Sequence, residues 1–409
     1  MSFFQMVSGQ LYRLKLEIGK LNPNSNCSQP PNETECGEVT EPRICDVEVW
    51  VQDWIHSSRL MDAHCNGTAL IDREKRSLGI LVGGKEQTNV DDEKVQNYAL
   101  ASLAKLDNFA KKYDKKYTDE EFSRRLHIFR ANLKKISYLQ ETEQGTATYG
   151  ITEFADLSAA EFKAKMGLQV PQNYLPRDFI KQAEIPKIEL PTEFDWRDKN
   201  AVTPVKIRLG MCGSCWAFSV TGNVEGQNAI KNGKLISLSE QELVDCDKTD
   251  NGCGGGYMYD AYQAIEKLGG LEAEDEYPYE GKNDQCRFKR SAVRVQVKAA
   301  VNISSDETEM AQWLVQNGPI SIGINANAMQ FYLGGVSHPL KFLCSPSQLD
   351  HGVLIVGFGV HKTKYTHKTL PYWIVKNSWG PHWGKKGYYL VYRGDGTCGV
   401  NLMASSAVL

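Results

Sequence analysis

The chain has 409 residues, 41% of them hydrophobic and 24% charged, with a formal net charge of −3. That length exceeds one average domain and points to two or three. The near-neutral charge gives no footing for binding nucleic acid, and no apolar run approaches the roughly 20 residues of a membrane span, so neither is expected as a partner.

Residues 1–70 read as antiparallel β-structure. "GQLYRLKLEI" and "CDVEVWVQDW" alternate apolar and polar side chains as half-buried strands do, with loop residues between them. Residues 71–95 are charged, hold a Gly pair and keep no period, so they read as a linker. From 96 to 140 apolar residues recur at helical spacing, and "KKYDKKY" at 111–117 reads as a solvated helix face. Thr118 and Glu121 have the spacing of a capping box that opens a second helix. "ATYGITEFADLSAAEFKAKMG" predicts a short strand and a short helix, with Ser158 and Glu161 as another box. Residues 167–189 are Pro-punctuated and irregular, either functional or a cleavable connector. Beyond 190, helices are predicted over 214–230 and 256–268. Strands then dominate in "GPISIGINA", "HGVLIVGFG", "PYWIVKNSWG" and "GYYLVYRG". A helical half followed by a β half predicts an α+β unit of two lobes with a cleft between them.

Four cysteines, Cys27, Cys36, Cys45 and Cys65, lie near the N-terminus, and seven more follow from Cys212 onward. Seven is odd, so full pairing leaves one thiol over. Sequons at Asn26, Asn32, Asn66 and Asn302 join the cysteine count in indicating a secretory route. The first residues lack the basic, apolar and small-residue zones of a signal peptide, and a segment ahead of Met1 is therefore expected. His56 and His64 flank Cys65 without a defensible ligand geometry, so no metal and no other cofactor is expected.

A cysteine attacks a carbonyl only as thiolate, and a helix N-terminus favours that form. Cys215 follows Gly213-Ser214 and immediately precedes the apolar-periodic stretch "WAFSVTGNVEGQNAI". His351 opens a predicted strand, where its ring can reach a cleft and act as base and then acid. Asn377 can fix the ring's tautomer, and Trp379 can shield that hydrogen bond.

"CGSCWAFS", "DHGVLIVGFG" and "KNSWG" together resemble the papain-like cysteine peptidases, from about residue 190 to the end. The resemblance implies their fold, a helical lobe beside a β-barrel-like lobe, and the triad Cys215, His351 and Asn377. It implies disulfides Cys212–Cys253, Cys246–Cys286 and Cys344–Cys398. Substrate would meet Gly255, Gly256, Tyr257, Met258, Gly323, Leu349, Gly352, Met403 and Trp383. The pocket for the second residue before the cut would be uncharged and hydrophobic in preference. Glu121, Arg125, Phe129, Asn132, Ile136 and Gln140 resemble the family's propeptide signature. Gly150, Thr152, Phe154 and Asp156 resemble a second element of it, with Thr152 in place of Asn. By that likeness 96–166 is an inhibitory propeptide whose continuation blocks the cleft in reverse orientation, and acid loosens it before cleavage in 167–189. "QMVSG" at 5–9 and the spacing Cys27–Cys36, Cys45–Cys65 resemble the cystatins. Trp54 suits their second hairpin, although Asp53 stands where Pro is expected. Residues 1–70 would then be a truncated cystatin-like domain.

One position breaks the pattern. Six residues before the nucleophile the family places Gln, whose amide helps hold the oxyanion, whereas this chain has Leu209. Losing such a donor costs roughly 10²–10³ in kcat, and Arg208, one position off register, is expected to point elsewhere. Three readings stay open: a misassigned sequence at Leu209, a slow peptidase, or an impaired homologue that binds peptides or inhibitors. The reading adopted is a monomeric cysteine endopeptidase zymogen of the lysosome or the cell exterior. Its expected partners are protein and peptide substrates and cystatin-type inhibitors.

Overall fold

The computed structural model describes residues 11–20, 40–52, 57–65 and 68–69 as backbone, and residues 102–170, 181–208, 210–363 and 369–409 with their side chains. The chain divides into two compact units, 1–97 and 98–409.

In the first unit β1 (Leu11–Lys20), β2 (Thr40–Gln52), β3 (Ser57–Cys65) and β4 (Thr68–Ala69) pair in chain order, each antiparallel to the next. The register sets Leu14 opposite Val47 and Cys45 opposite Cys65. The "QMVSG" stretch, Cys27, Cys36, Asp53, Trp54, His56 and the sequons at Asn26, Asn32 and Asn66 lie outside the described residues, as does Leu209.

The second unit opens with helical residues 102–112 and a long helix, Asp119–Thr142. Thr118 caps that helix by accepting from the Glu121 amide. The predicted box is only half made, because the Glu121 carboxylate turns to Arg124 and Arg125 instead. Arg125 is the hub: its guanidinium binds Glu121 at 2.6 Å, both oxygens of Glu161 at 2.8 and 2.9 Å, and the Asp156 carbonyl. A forked donor held by two carboxylates fixes geometry as well as charge. Phe129 is fully buried, and the Asn132 amide donates to the Ala155 and Leu157 carbonyls. The Ser158–Glu161 box is complete and starts the short helix Ala159–Lys165.

β5 (Thr148–Tyr149) pairs with β11 (Tyr332–Gly334). β7 (Leu271–Glu272) and β8 (Val293–Val295) form a ribbon. Among the described residues the main sheet has eight strands. Its order is β12 (Val336–Ser337), β15 (Tyr388–Tyr392), β14 (Thr369–Lys376), β13 (His351–Lys362), β10 (Ile320–Ile324), β16 (Ala404–Val408) and β9 (Ala299–Asn302), with β6 (Phe194–Asp195) also on β13. β10 and the first nine residues of β13 are buried throughout, which is why they read as unbroken apolar runs rather than alternating ones.

Helix Cys215–Asn232 carries thirteen buried residues out of eighteen, as a helix packed on all sides must. Trp216, Val220, Leu243 and Tyr262 form one core with it, while Ile322, Phe331, Ile355 and Trp373 form another. The propeptide's Phe129, Phe154 and Phe162 belong to the second core. Disulfides join Cys212 to Cys253, Cys246 to Cys286, and Cys344 to Cys398, leaving Cys215 a free, buried thiol.

Within residues 167–189, Gly167–Gln169 bond along residues of the helical lobe, as a segment lying over the cleft would, and Lys181–Ala183 add to the sheet edge. There the Asn302 amide donates to the Lys181 carbonyl, and Ala183 donates back to Asn302. Asn302 is only 8% exposed in this form.

The Glu161 hub makes the propeptide sensitive to acid. Burial pushes the Glu161 carboxyl up, but Arg125 and the Ser158 amide outweigh that and hold it below its ordinary value. Its stabilisation is complete above the unfolded pKa of about 4.3 and is lost as pH falls through the lower folded value. Glu161→Gln in the full chain should therefore cost about 2 kcal/mol at pH 7, read as a lower first transition in calorimetry. The difference from wild type should shrink at low pH. A gap that persists at acid pH would remove the hub from the account.

Candidate active site

Cys215 is the first residue of its helix. The preceding Ser214 makes no side-chain cap; its hydroxyl meets the Tyr279 hydroxyl at 2.6 Å instead. The first turn also lacks acidic residues. The helix thus presents an uncompensated positive end at the thiol. Cys212–Cys253 fastens the approach to this turn, and the Gly213 amide donates to the Cys253 carbonyl.

His351 is the first residue of β13, across from Ile324 of β10. Its Nε2 lies 2.8 Å from Asn377 Oδ1. Trp379 stacks on the imidazole with centroids 4.9 Å apart and planes 20° apart, the shielding position expected of it. His351 Nδ1 is buried without a hydrogen-bond partner. The Cys215 sulfur accepts from the Gly352 amide at 3.3 Å, so Gly352, read in sequence as a pocket wall, also touches the nucleophile.

The cleft is occupied by the chain's own residues 167–169. The Gly256 amide donates to the Gly167 carbonyl at 2.8 Å, Gln169 donates to Gly256 at 2.9 Å, and Leu168 donates to the Asp350 carbonyl. This segment runs parallel to Gly256. A Cβ on Gly167 would lie 1.7 Å from the Gly213 carbonyl oxygen, so only glycine passes so close to the nucleophile's turn. A Cβ on Gly255, at φ +115°, would lie 2.8 Å from the Gly167 carbonyl oxygen. Leu168 packs with Tyr257, Met258, Met403 and Leu349. A Cβ on Gly323 would meet Leu168, Met403 and Leu349 within 3.3 Å. The residues expected to form one hydrophobic pocket do converge, and a leucine already fills it. Trp383 stands apart from that pocket, edge-on to Trp379.

Sealing the cleft changes its electrostatics. Burial pushes the Cys215 thiol up, against the pull of Arg208 and of the Gly352 and Gly167 amides. Burial, reinforced by Arg208, pushes His351 down to about 3. Both shifts disfavour charge on the pair in this form.

Arg208 departs from the sequence expectation: it does not point away, because the residue is only 9% exposed and the groups acting on its charge are Cys215 and Tyr279. Sequence reading also missed Leu168 and Tyr279, which sit outside any recognisable periodicity.

Residues 190–408 match the papain family cysteine proteases, and residues 107–162 match the cathepsin propeptide inhibitor domain. The chain is 50% identical over 385 residues to cathepsin F of Drosophila melanogaster, covering 90% of this chain and 60% of that protein. Against cathepsin F of Mus musculus it is 47% identical over 315 residues, covering 77% and 66%. The chain thus spans about two thirds or less of the length of these two relatives. Digestive procathepsin L 3 of the Tenebrio molitor larval midgut superposes with TM-score 0.66 at 35% identity, over 75% of this chain and 99% of that one.

Leu168 gives the occupied cleft a test. Burying a leucine contributes about 2 kcal/mol, so Leu168→Asp should raise labelling of Cys215 in the uncleaved chain by roughly 30-fold. An epoxide of small size and mass spectrometry measure this, and an unchanged rate would mean that other contacts hold the segment.

Proposed function

The chain belongs to the papain family of cysteine proteases and carries that family's propeptide, and from this premise we propose that it is an endopeptidase zymogen working through Cys215, His351 and Asn377. Once the propeptide leaves, water returns to the cleft and the penalty on charge falls. The Cys215 proton then moves to His351, giving a thiolate beside an imidazolium. The thiolate attacks the scissile carbonyl carbon, forming the S–C bond and moving the carbonyl π pair onto oxygen. Collapse of that intermediate breaks the C–N bond while His351 gives its proton to the amine. Water, deprotonated by His351, then cleaves the thioester and frees the second product. Asn377 holds the ring through its 2.8 Å bond to Nε2, which leaves Nδ1 for the thiol.

The unpartnered, buried Nδ1 of His351 together with the free thiol carries this reading. The pocket filled by Leu168 supports a hydrophobic preference at the second residue before the cut, since none of its walls is charged. Three disulfides among the described residues fit an oxidising route of synthesis, and work in the lysosome or outside the cell. Proteins and peptides are the substrates on this reading, cystatin-type inhibitors are partners, and the enzyme acts as a monomer.

Acid activation of the full chain followed by a dye-releasing peptide tests it. A leucine at the second position should be cleaved in preference to arginine. Cys215→Ser should abolish release, and Asn377→Ala should lower kcat about 10–100-fold, the worth of one hydrogen bond to a charged group. Turnover that survives Cys215→Ser would end the proposal.

A further inference from the structure

Arg208 takes no part in the chemistry described so far, and its surroundings are those of a working group. Residues 206–208 run antiparallel to 378–380: Ile207 pairs with Trp379, the Arg208 amide donates to the Ser378 carbonyl at 2.8 Å, and Gly380 donates to Lys206 at 3.1 Å. Lys206 is itself anchored to Glu240 at 2.7 and 2.9 Å. The Arg208 backbone is therefore fixed along the wall that carries Asn377. Its side chain is nine-tenths buried, its charge acts on Cys215, and Nη1 has no partner.

The ionisable groups that act on Arg208 are Cys215 and Tyr279. Arg208 in turn bears on His351 and on the propeptide's Lys165. No carboxylate is among these. A buried cation without a carboxylate is expensive, and two anions can arise at this spot, the thiolate and the oxyanion that follows attack.

We propose that Arg208 is a catalytic residue that stands in for the amide donor Leu209 lacks, its guanidinium holding the Cys215 thiolate and then donating an N–H to the tetrahedral oxyanion. The inference rests on the triad reading above. The oxyanion sits one bond beyond the carbon attached to Sγ, and the unpartnered Nη1 of the planar fork is a donor free for it. Arg208 keeps its protons throughout; the electron pair moves onto the carbonyl oxygen and back again while the guanidinium stays as it is.

The experiment uses the full chain activated by acid, with Arg208→Ala, Arg208→Lys and Arg208→Gln. Arg208→Ala should lower kcat by about 10²–10³ with KM little changed. The pH profile of Cys215 alkylation by iodoacetamide should move to higher pH, because a cation beside the thiolate is gone. Arg208→Lys should keep the alkylation profile and recover only part of kcat, since an ammonium is a point charge without the fork. Arg208→Gln should recover part of kcat without the profile. Unchanged kcat and an unchanged profile in Arg208→Ala would overturn the assignment. Should Arg208→Ala fail to fold, as read by thermal unfolding, identical kcat and profiles in the Lys and Gln variants would overturn it equally. If the processed wild type releases no dye, the triad reading falls, while the alkylation profiles still judge Arg208 by themselves.

Discussion

Everything at the site depends on a thiol and an imidazole being kept out of water together. Cys215 and His351 are both fully buried, and a dry cleft penalises each charged form separately. A lone buried charge costs more than its partner's attraction returns unless further hydrogen bonds help. The segment over the cleft therefore covers the thiol and, by excluding water, disfavours charge on both members of the pair.

That coupling explains how the propeptide is attached. Its Phe154 and Phe162 lie edge-on to Trp379, at 4.9 and 5.7 Å, on the same indole that stacks on His351. Thr152, the departure from the family pattern, donates its hydroxyl to the Gln330 carbonyl. Gln330 returns its amide to the Phe154 and Leu157 carbonyls. The propeptide docks through backbone groups, aromatic edges and the Glu143 carboxylate, which accepts from the His338 amide at 2.6 Å, while Glu121 and Glu161 order it internally around Arg125.

The free thiol of Cys215 and the pairing of His351 with Asn377 were legible in the sequence because their local contexts are distinctive. Buried strands were legible as apolar runs, and Cys215–Asn232 by its period. The β3 strand was not singled out, since "SSRLMDAHC" does not alternate cleanly. The helices Glu240–Cys246 and Glu307–Asn317 were missed as well; the first is buried all round and carries no amphipathic stripe. Leu168 sits in an aperiodic stretch, where nothing marks one leucine as a pocket filler. Arg208 was misjudged because its direction comes from pairing with 378–380, a partner far along the chain that local register cannot reveal.

The edge position of β9 has its own consequence. While Lys181–Ala183 lie against Asn302, the outermost strand of the eight has a neighbour. Without that neighbour the Asn302 amide and carbonyl would face an open margin. Such a margin invites another strand, including one from a second copy, unless something bulky or charged guards it.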